Sequence, residues 1–187
     1  MRASWPTNLR RPPLPVLFLT VLILALAETA GALMGRYRGD LAAWLTEAVS
    51  RRPSVHGLTG NRDYDAELIP QIVFQSEAGL SFFHTHGEGM GVIVVAGGTL
   101  VSSLVASGAL RGVLNLLLAA GAIFPVGFLA SAALTITMGK DAGAEWAERW
   151  LLIPAGSAAI AAFVLLAAAL AAQGLRRRRG GAPRADG

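Results

Sequence analysis

Residues 14–34 read LPVLFLTVLILALAETAGALM, an apolar run that a single ionisable side chain, Glu28, interrupts. A helix needs about 20 apolar residues to cross the hydrocarbon core of a bilayer, which is ~30 Å thick. This run has that length, and residues 80–106, 113–138 and 151–172 form three more runs of the same kind. The sequence therefore predicts four transmembrane helices.

The composition agrees with a membrane protein. Hydrophobic residues make up 53% of the 187 residues and charged residues 15%, which is too apolar for an ordinary soluble domain. We predict an all-α integral membrane bundle, with one transmembrane domain at residues 1–174 and a basic cytoplasmic tail at residues 175–187. The absence of cysteine excludes disulfides, thiolate metal sites and haem attached through Cys-x-x-Cys-His.

Residues 35–79 form the one long segment between predicted spans, and we interpret it as an exterior loop. Within it, apolar residues recur with helical spacing: Leu41, Trp44, Leu45, Ala48 and Val49. This pattern predicts a short amphipathic helix over Leu41–Arg51, lying on the membrane surface or over the mouth of the bundle. Pro53 is expected to end it.

The distribution of charge predicts the orientation. The two ends of the chain and the segment between spans two and three carry nine basic residues and one acid, whereas the opposite side carries seven basic residues and nine acids. The positive-inside rule then places both termini in the cytoplasm. The Ala-, Gly- and Arg-rich, lysine-poor composition is typical of a bacterium, so we expect a multi-pass protein of the inner (plasma) membrane.

Lipid is the expected partner of the arginines, although the formal net charge of +4 also raises the question of nucleic acid. The arginines are divided among segments that flank the predicted spans, and no soluble domain is present to display them to a nucleic acid. Anionic lipid headgroups are therefore the better match, and we predict no nucleic-acid partner.

The first span has a second interpretation. Arg10 and Arg11, the following apolar run and the small residues Ala25-Leu26-Ala27 together resemble a signal peptide with a cleavage site. The apolar run continues beyond this site to Met34, which favours a retained helix. Cleavage would leave three spans and would remove Glu28 from the membrane.

The most informative polar residues lie in the second span, where residues 82–91 read FFHTHGEGMG. Ionisable groups at membrane depth are costly to keep and are functional candidates by default. By helical rise, Glu88 lies roughly 12 Å and Glu28 roughly 9 Å from the outer ends of their spans, level with His84 and His86. We therefore predict a site in the outer half of the bilayer from Glu28, His84, His86 and Glu88.

Helical periodicity limits how these residues can cooperate. Glu77, Ser81, His84 and Glu88 share one face of a regular helix, whereas His86 is rotated by about 200° from His84. Either the backbone is irregular here, or the two histidines have different roles. Gly87-x-x-x-Gly91 would allow another helix to pack closely beside this face.

Three functions fit these residues. The cluster could bind a transition metal (copper, zinc or iron) or a haem, within a redox or metal-handling membrane complex. It could form part of a proton or cation path. It could also pair internally within a non-catalytic structural or accessory subunit. Each function calls for a homo-oligomer or partner membrane subunits, because the chain is short, and the sequence leaves open whether the protein is an enzyme.

Phe83-His84-Thr85-His86 with Gly89-Met90-Gly91 resembles the His-x-His turn of membrane proteins related to the haem–copper oxidase catalytic subunit. It is also similar to small four-helix bacterial membrane proteins in which His-Thr-His opens a span. The kink expected at Pro125 adds to the likeness. The resemblance implies a haem or copper ligand at His84 or His86. No other predicted span contains a histidine, so a bis-histidine haem would need a second subunit.

Overall fold

The computed structural model describes residues 9–180, with side chains described for residues 9–176. These residues fold as helices, and no strand occurs among them. The helices are α1 (Leu14–Ser50), α2 (Pro53–His56), α3 (Arg62–Leu104), α4 (Gly108–Ala122), α5 (Phe124–Met138), α6 (Lys140–Ala147) and α7 (Ile153–Gly180), with a π-helical turn at Glu148–Leu152 before α7. The predicted all-α class is confirmed.

Four helical segments are long and apolar enough to cross a membrane, as the sequence predicts: Leu14–Ser50, Arg62–Leu104, Gly108–Met138 and Lys140–Arg176. Each contains one of the predicted spans or most of it. The third segment is interrupted at Ile123, directly before Phe124 and Pro125. Proline lacks an amide hydrogen and is tolerated in the first turn of a helix, so the chain ends α4 and begins α5 here.

The predicted tail begins inside α7, which continues to Gly180. The rest of the tail, residues 181–187, lies outside the described residues.

The exterior segment differs from the prediction, because residues 35–79 are mostly helical. Residues 41–50 continue α1 beyond a kink at Tyr37, where the backbone is non-helical, and do not form a separate surface helix. The apolar face recognised in the sequence packs inward, with Leu45 and Val49 almost fully buried against Ile72 of α3. The 43 residues of α3 extend over about 64 Å. A bilayer core is ~30 Å thick, so α3 is about twice as long as a crossing requires, and its N-terminal part, here called the projecting part, provides this packing surface.

A short connection closes the projecting end of the bundle. Gly139 separates α5 from α6 with a φ of +92°, a conformation that favours glycine, and a Cβ there would lie 2.9 Å from the carbonyl oxygen of Val55. His56, next to Val55, is buried, and neither of its ring nitrogens has a hydrogen-bond partner among the described residues. Burial lowers the pKa of His56, the nearby Ile136 carbonyl opposes this shift, and the Arg52 guanidinium adds to it.

Two hydrophobic clusters hold the helices together. One joins α1, α3, α4 and α7 and is centred on Val94, Val101, Leu114 and Leu118. The other joins the projecting parts of α1 and α3 to α5. Along α3, the polar residues of the FFHTHGEGMG stretch lie between Val73 in one cluster and Val94 in the other. The candidate site therefore lies on a part of α3 that is fixed by hydrophobic packing both before and after it along the helix.

Candidate metal centre

The close crossing of α1 and α3 positions the site. Ala27 is completely buried, and a Cβ on Gly87 would overlap the Ala27 methyl group. One turn further along α3, Gly91 faces Leu24 of α1 at ordinary contact distance. The Gly87-x-x-x-Gly91 pattern predicted such a close neighbour, and the structure identifies it as α1.

The same crossing orients His84. Its ring lies over Gly31, where a Cβ would come within 2.5 Å of Cε1, so only glycine leaves room for the ring. The His84 Nδ1 atom lies 3.1 Å from the carbonyl oxygen of Ala27. A carbonyl oxygen can only accept, so Nδ1 donates its hydrogen and the neutral ring keeps its lone pair on Nε2. A histidine that ligates a metal is commonly fixed through its other nitrogen in this way.

His84 Nε2 is directed toward two carboxylates. It lies 3.6 Å from Oε1 of Glu88, one turn further along α3. Glu28, Glu88 and His84 each offer one ligand atom such that the three atoms lie within 4.8 Å of one another. Ligand atoms about 2.1 Å from a tetrahedral zinc ion stand roughly 3.4 Å apart, so separations of up to 4.8 Å must shorten by at most about 1.4 Å to reach metal-binding geometry.

The carboxylates have freedom to make that movement. The side chains of His84 and Glu88 are 28% and 46% exposed, and Glu28 is exposed. Three protein ligands also leave a coordination position for water or another group, which is the pattern of catalytic and transport sites more than of closed structural sites. The arrangement can hold a divalent cation, or it can share a proton between an imidazole and an acid.

His86 does not join this group. α3 is a regular helix through the stretch, so His86 faces another side, as the rotation of about 200° requires. Its ring lies 4.7 Å from the ring of Phe128 and 5.8 Å from that of Phe124, measured between centroids. Its Nδ1 lies 3.0 Å from the carbonyl oxygen of Phe82. Of the two alternatives posed by the sequence, an irregular backbone is not found, and the two histidines lie on different sides of a regular helix.

A groove continues the polar face of α3 toward the projecting end of the bundle. It has a volume of about 280 Å³ and is lined by Met34, Gly35, Arg38, Leu41, Glu77 and Ser81. Glu77 and Ser81 belong to the polar stripe that the sequence predicts, two turns and one turn before His84, respectively. The groove therefore carries the polar side chains of Arg38, Glu77 and Ser81, among apolar residues, from that end of the bundle toward the cluster.

Sequence reasoning missed three contributors to the site: Gly31, the Ala27 carbonyl and the α1 side of the groove. Gly31 follows Glu28 by one helical turn, a spacing that could have signalled its proximity to the same face. The role of the Ala27 carbonyl could not be predicted from the sequence, because every residue has a backbone carbonyl group.

Comparisons with protein-family models, curated protein sequences and solved structures return no match for this chain. Function must therefore be argued from the site itself. The fold and the site together define the class as an all-helical protein with four membrane-compatible segments and a His/Glu group between the first two.

Proposed function

We propose that this protein is an integral membrane protein whose Glu28, His84 and Glu88 bind a transition metal within a metal-handling or redox complex. The observation that carries the proposal is the orientation of His84. The Ala27 carbonyl lies beside Nδ1, and the ring packs over Gly31, so that Nε2 is the nitrogen that lies beside the two carboxylates and can offer a lone pair to a metal.

The ligand types favour zinc or iron(II). One imidazole and two carboxylates form a nitrogen and oxygen set of intermediate hardness, which suits these ions. Copper(I) prefers thiolate and thioether sulfur, and the group contains neither. Haem is the weaker alternative, because the seated His84 ring has Glu88 against Nε2, and His86 lies among phenylalanine rings.

The position of the group fits a site that is reached from outside the cytoplasm. We place both termini in the cytoplasm of a bacterial cell and the protein in its inner membrane, so the group lies in the outer half of the bilayer. The groove beside Glu77 then offers access to it. Exposed carboxylates at membrane depth need a covering surface, which a second copy of the chain or a partner subunit would supply.

Metal content tests the proposal directly. Protein purified in mild detergent without a His-tag is incubated with zinc or iron(II), washed, and examined by elemental analysis and by its visible spectrum. We expect about one metal per site, with affinity reduced at least tenfold in His84→Ala, Glu28→Gln and Glu88→Gln. His86→Ala is the matched control, since it removes a histidine from the same helix, and it should retain the metal.

Three results would overturn the proposal. Equal metal loss in His84→Ala and His86→Ala would show that the binding does not depend on the described group. Absence of metal after incubation, together with reduced thermal stability of His84→Ala, would favour a structural pair in an accessory subunit. A haem absorption band lost in His86→Ala alone would move the site to the other face of α3.

A proton or cation path is the second candidate, favoured by the 3.6 Å approach of His84 Nε2 to Glu88 and by the groove that Glu77 and Ser81 line. Protein reconstituted in liposomes would then show a pH-dependent flux that Glu88→Gln suppresses. Metal binding without flux would reject this candidate, and flux without metal binding would support it.

A further inference from the structure

A second polar site lies at the opposite end of the bundle, where α1 and α4 begin and α3 ends. A cavity of about 320 Å³ is lined there by three arginines, Arg10, Arg11 and Arg111, together with Ser102 and Asn115. This site shares no residue with the metal group, and the inference drawn from it does not depend on the proposed function.

The chain before α1 is fixed against α3 at this end. The backbone amide of Arg10 donates a hydrogen bond of 2.8 Å to Oγ of Ser103. The Pro12 ring packs against Gly98, where an added Cβ would lie 3.0 Å from the ring carbons. The contacts of the Arg10 amide and of the Pro12 ring, on either side of Arg11, therefore hold this segment against α3 at the cavity that Arg111 also lines.

The positive charge of this cavity is not balanced by the described part of the chain. None of the three guanidinium groups forms an ion pair or a side-chain hydrogen bond within residues 9–176. The acids in that range all lie at residues 28–88 or 141–148, away from the ends of the helices that form the cavity. Three adjacent guanidinium groups without an acid are electrostatically complementary to an anion.

Asn115 supplies an independent indication of a ligand. Its side chain is only 8% exposed and lines the cavity, and its Oδ1 atom is buried without a hydrogen-bond partner in the described residues. A buried amide oxygen without a partner is costly in an apolar bundle. Rotation of the amide by 180° exchanges its oxygen and nitrogen, so Asn115 can offer two N–H donors to an anion.

We propose that this cavity binds the phosphate group of an anionic lipid. Arginine binds phosphate through two parallel hydrogen bonds, and basic pockets between transmembrane helices are known to hold acidic lipid headgroups. The surface next to the cavity favours a lipid over free phosphate, because Leu14 lines the cavity and is 62% exposed, and Val113 and Leu116 are exposed on α4. These side chains provide an apolar surface for the acyl chains below a phosphate held by the arginines.

Native mass spectrometry of the detergent-purified protein tests the proposal with three probes: phosphatidylglycerol, phosphatidylcholine and inorganic phosphate. We expect one tightly bound phosphatidylglycerol per chain and weaker binding of phosphatidylcholine. Each arginine near a membrane surface contributes about fivefold to the binding of an acidic lipid, so Arg10→Gln with Arg111→Gln should weaken it about 25-fold. The control, Arg176→Gln with Arg177→Gln, removes the same charge from the end of α7 and should change binding by less than about twofold.

A second variant separates geometry from charge. Arg10→Lys with Arg111→Lys keeps the charge that sets membrane orientation but loses the bidentate hydrogen bonds, so its affinity should fall between those of the parent and the glutamine variant. Equal losses in the glutamine variant and the α7 control would overturn the proposal, since binding would then reflect diffuse charge. Inorganic phosphate binding as tightly as phosphatidylglycerol would overturn the lipid assignment, as would equal binding of the two lipids.

Discussion

Substitution of Gly31 by alanine is expected to weaken metal binding without removing any of the three ligands. The added methyl group would lie 2.5 Å from Cε1, 2.6 Å from Nδ1 and 2.7 Å from Nε2 of His84. Non-bonded carbon atoms normally approach to about 3.5–4.0 Å, so the ring must move by about 1 Å or more. That movement breaks the contact between Nδ1 and the Ala27 carbonyl and turns Nε2 away from Glu88.

The expected loss can be estimated from the role of that contact. Removing a partner that orients a metal-bound histidine costs about 10- to 100-fold in metal affinity, or about 1.4–2.7 kcal/mol. Overpacking at the helix crossing should also destabilise the fold by about 1–3 kcal/mol. Alanine has a higher helix propensity than glycine by about 1 kcal/mol, which offsets part of that loss.

Gly35→Ala is the matched control, because Gly35 lies one turn further along α1 and a Cβ there meets no atom within 4 Å. The two variants share the gain in helix propensity, so their difference reports the displacement of His84. Zinc or iron(II) affinity is measured by competition with a chromophoric chelator, and stability by thermal unfolding in detergent. Equal metal affinity and equal melting temperature in the two variants would refute the described seating of His84.

Three further predictions concern stability. The pKa of buried His56 is lowered from 6.5, so the stability that neutral His56 contributes is complete above pH 6.5 and is lost as the pH falls through the folded-state pKa. His56→Phe should therefore flatten the acidic limb of a plot of melting temperature against pH. Thr135 is fully buried, and its hydroxyl has no hydrogen-bond partner in the part of the chain that the structure describes, so Thr135→Val should raise the free energy of unfolding by up to about 1 kcal/mol. Gly143→Ala should lower it by about 1–3 kcal/mol, since its Cβ would lie 2.6 Å from backbone atoms of α5, whereas Gly112→Ala, which meets no atom, should not lower it.

Each of these predictions has a contradicting outcome. Parallel pH profiles for the parent and His56→Phe would show that His56 is not buried in its neutral form. A clear loss of stability in Thr135→Val would mean that the hydroxyl has a partner, such as a water molecule. Similar melting temperatures for Gly143→Ala and Gly112→Ala would contradict the close packing of α6 against α5.

The sequence predicted the helical class and the positions of the long helices because both depend on local properties. A run such as residues 14–34 is apolar over the length of a bilayer crossing, and no tertiary contact is needed to recognise it. The break before Pro125 is equally local, since it follows from the missing amide hydrogen. The periodicity at Leu41–Val49 correctly indicated a helix, but its packing against α3 depends on how far α3 projects.

The candidate site was predicted in part for a similar reason. Helical geometry alone separates His86 from His84 and puts Glu88 on the same face as His84, so α3 could be interpreted from its sequence. For α1, the sequence placed Glu28 at the same depth in the bilayer as His84 and Glu88. It did not determine whether Glu28 faces them, because depth does not fix the rotation of a helix about its axis. The rotation of α1 is decided by the contact of Ala27 with Gly87 and of Gly31 with His84.

The sequence by itself therefore determined the number and type of the long helices, the polar face of α3 and the basic character of one end of the chain. Only the tertiary structure decided that Glu28 meets His84 and Glu88, that the Ala27 carbonyl fixes the His84 ring, and that Arg10 lies beside Arg111. The physical reason is that periodicity and hydropathy act within one helix. The meeting of side chains from two helices depends on their rotation and separation, which close packing of small residues sets.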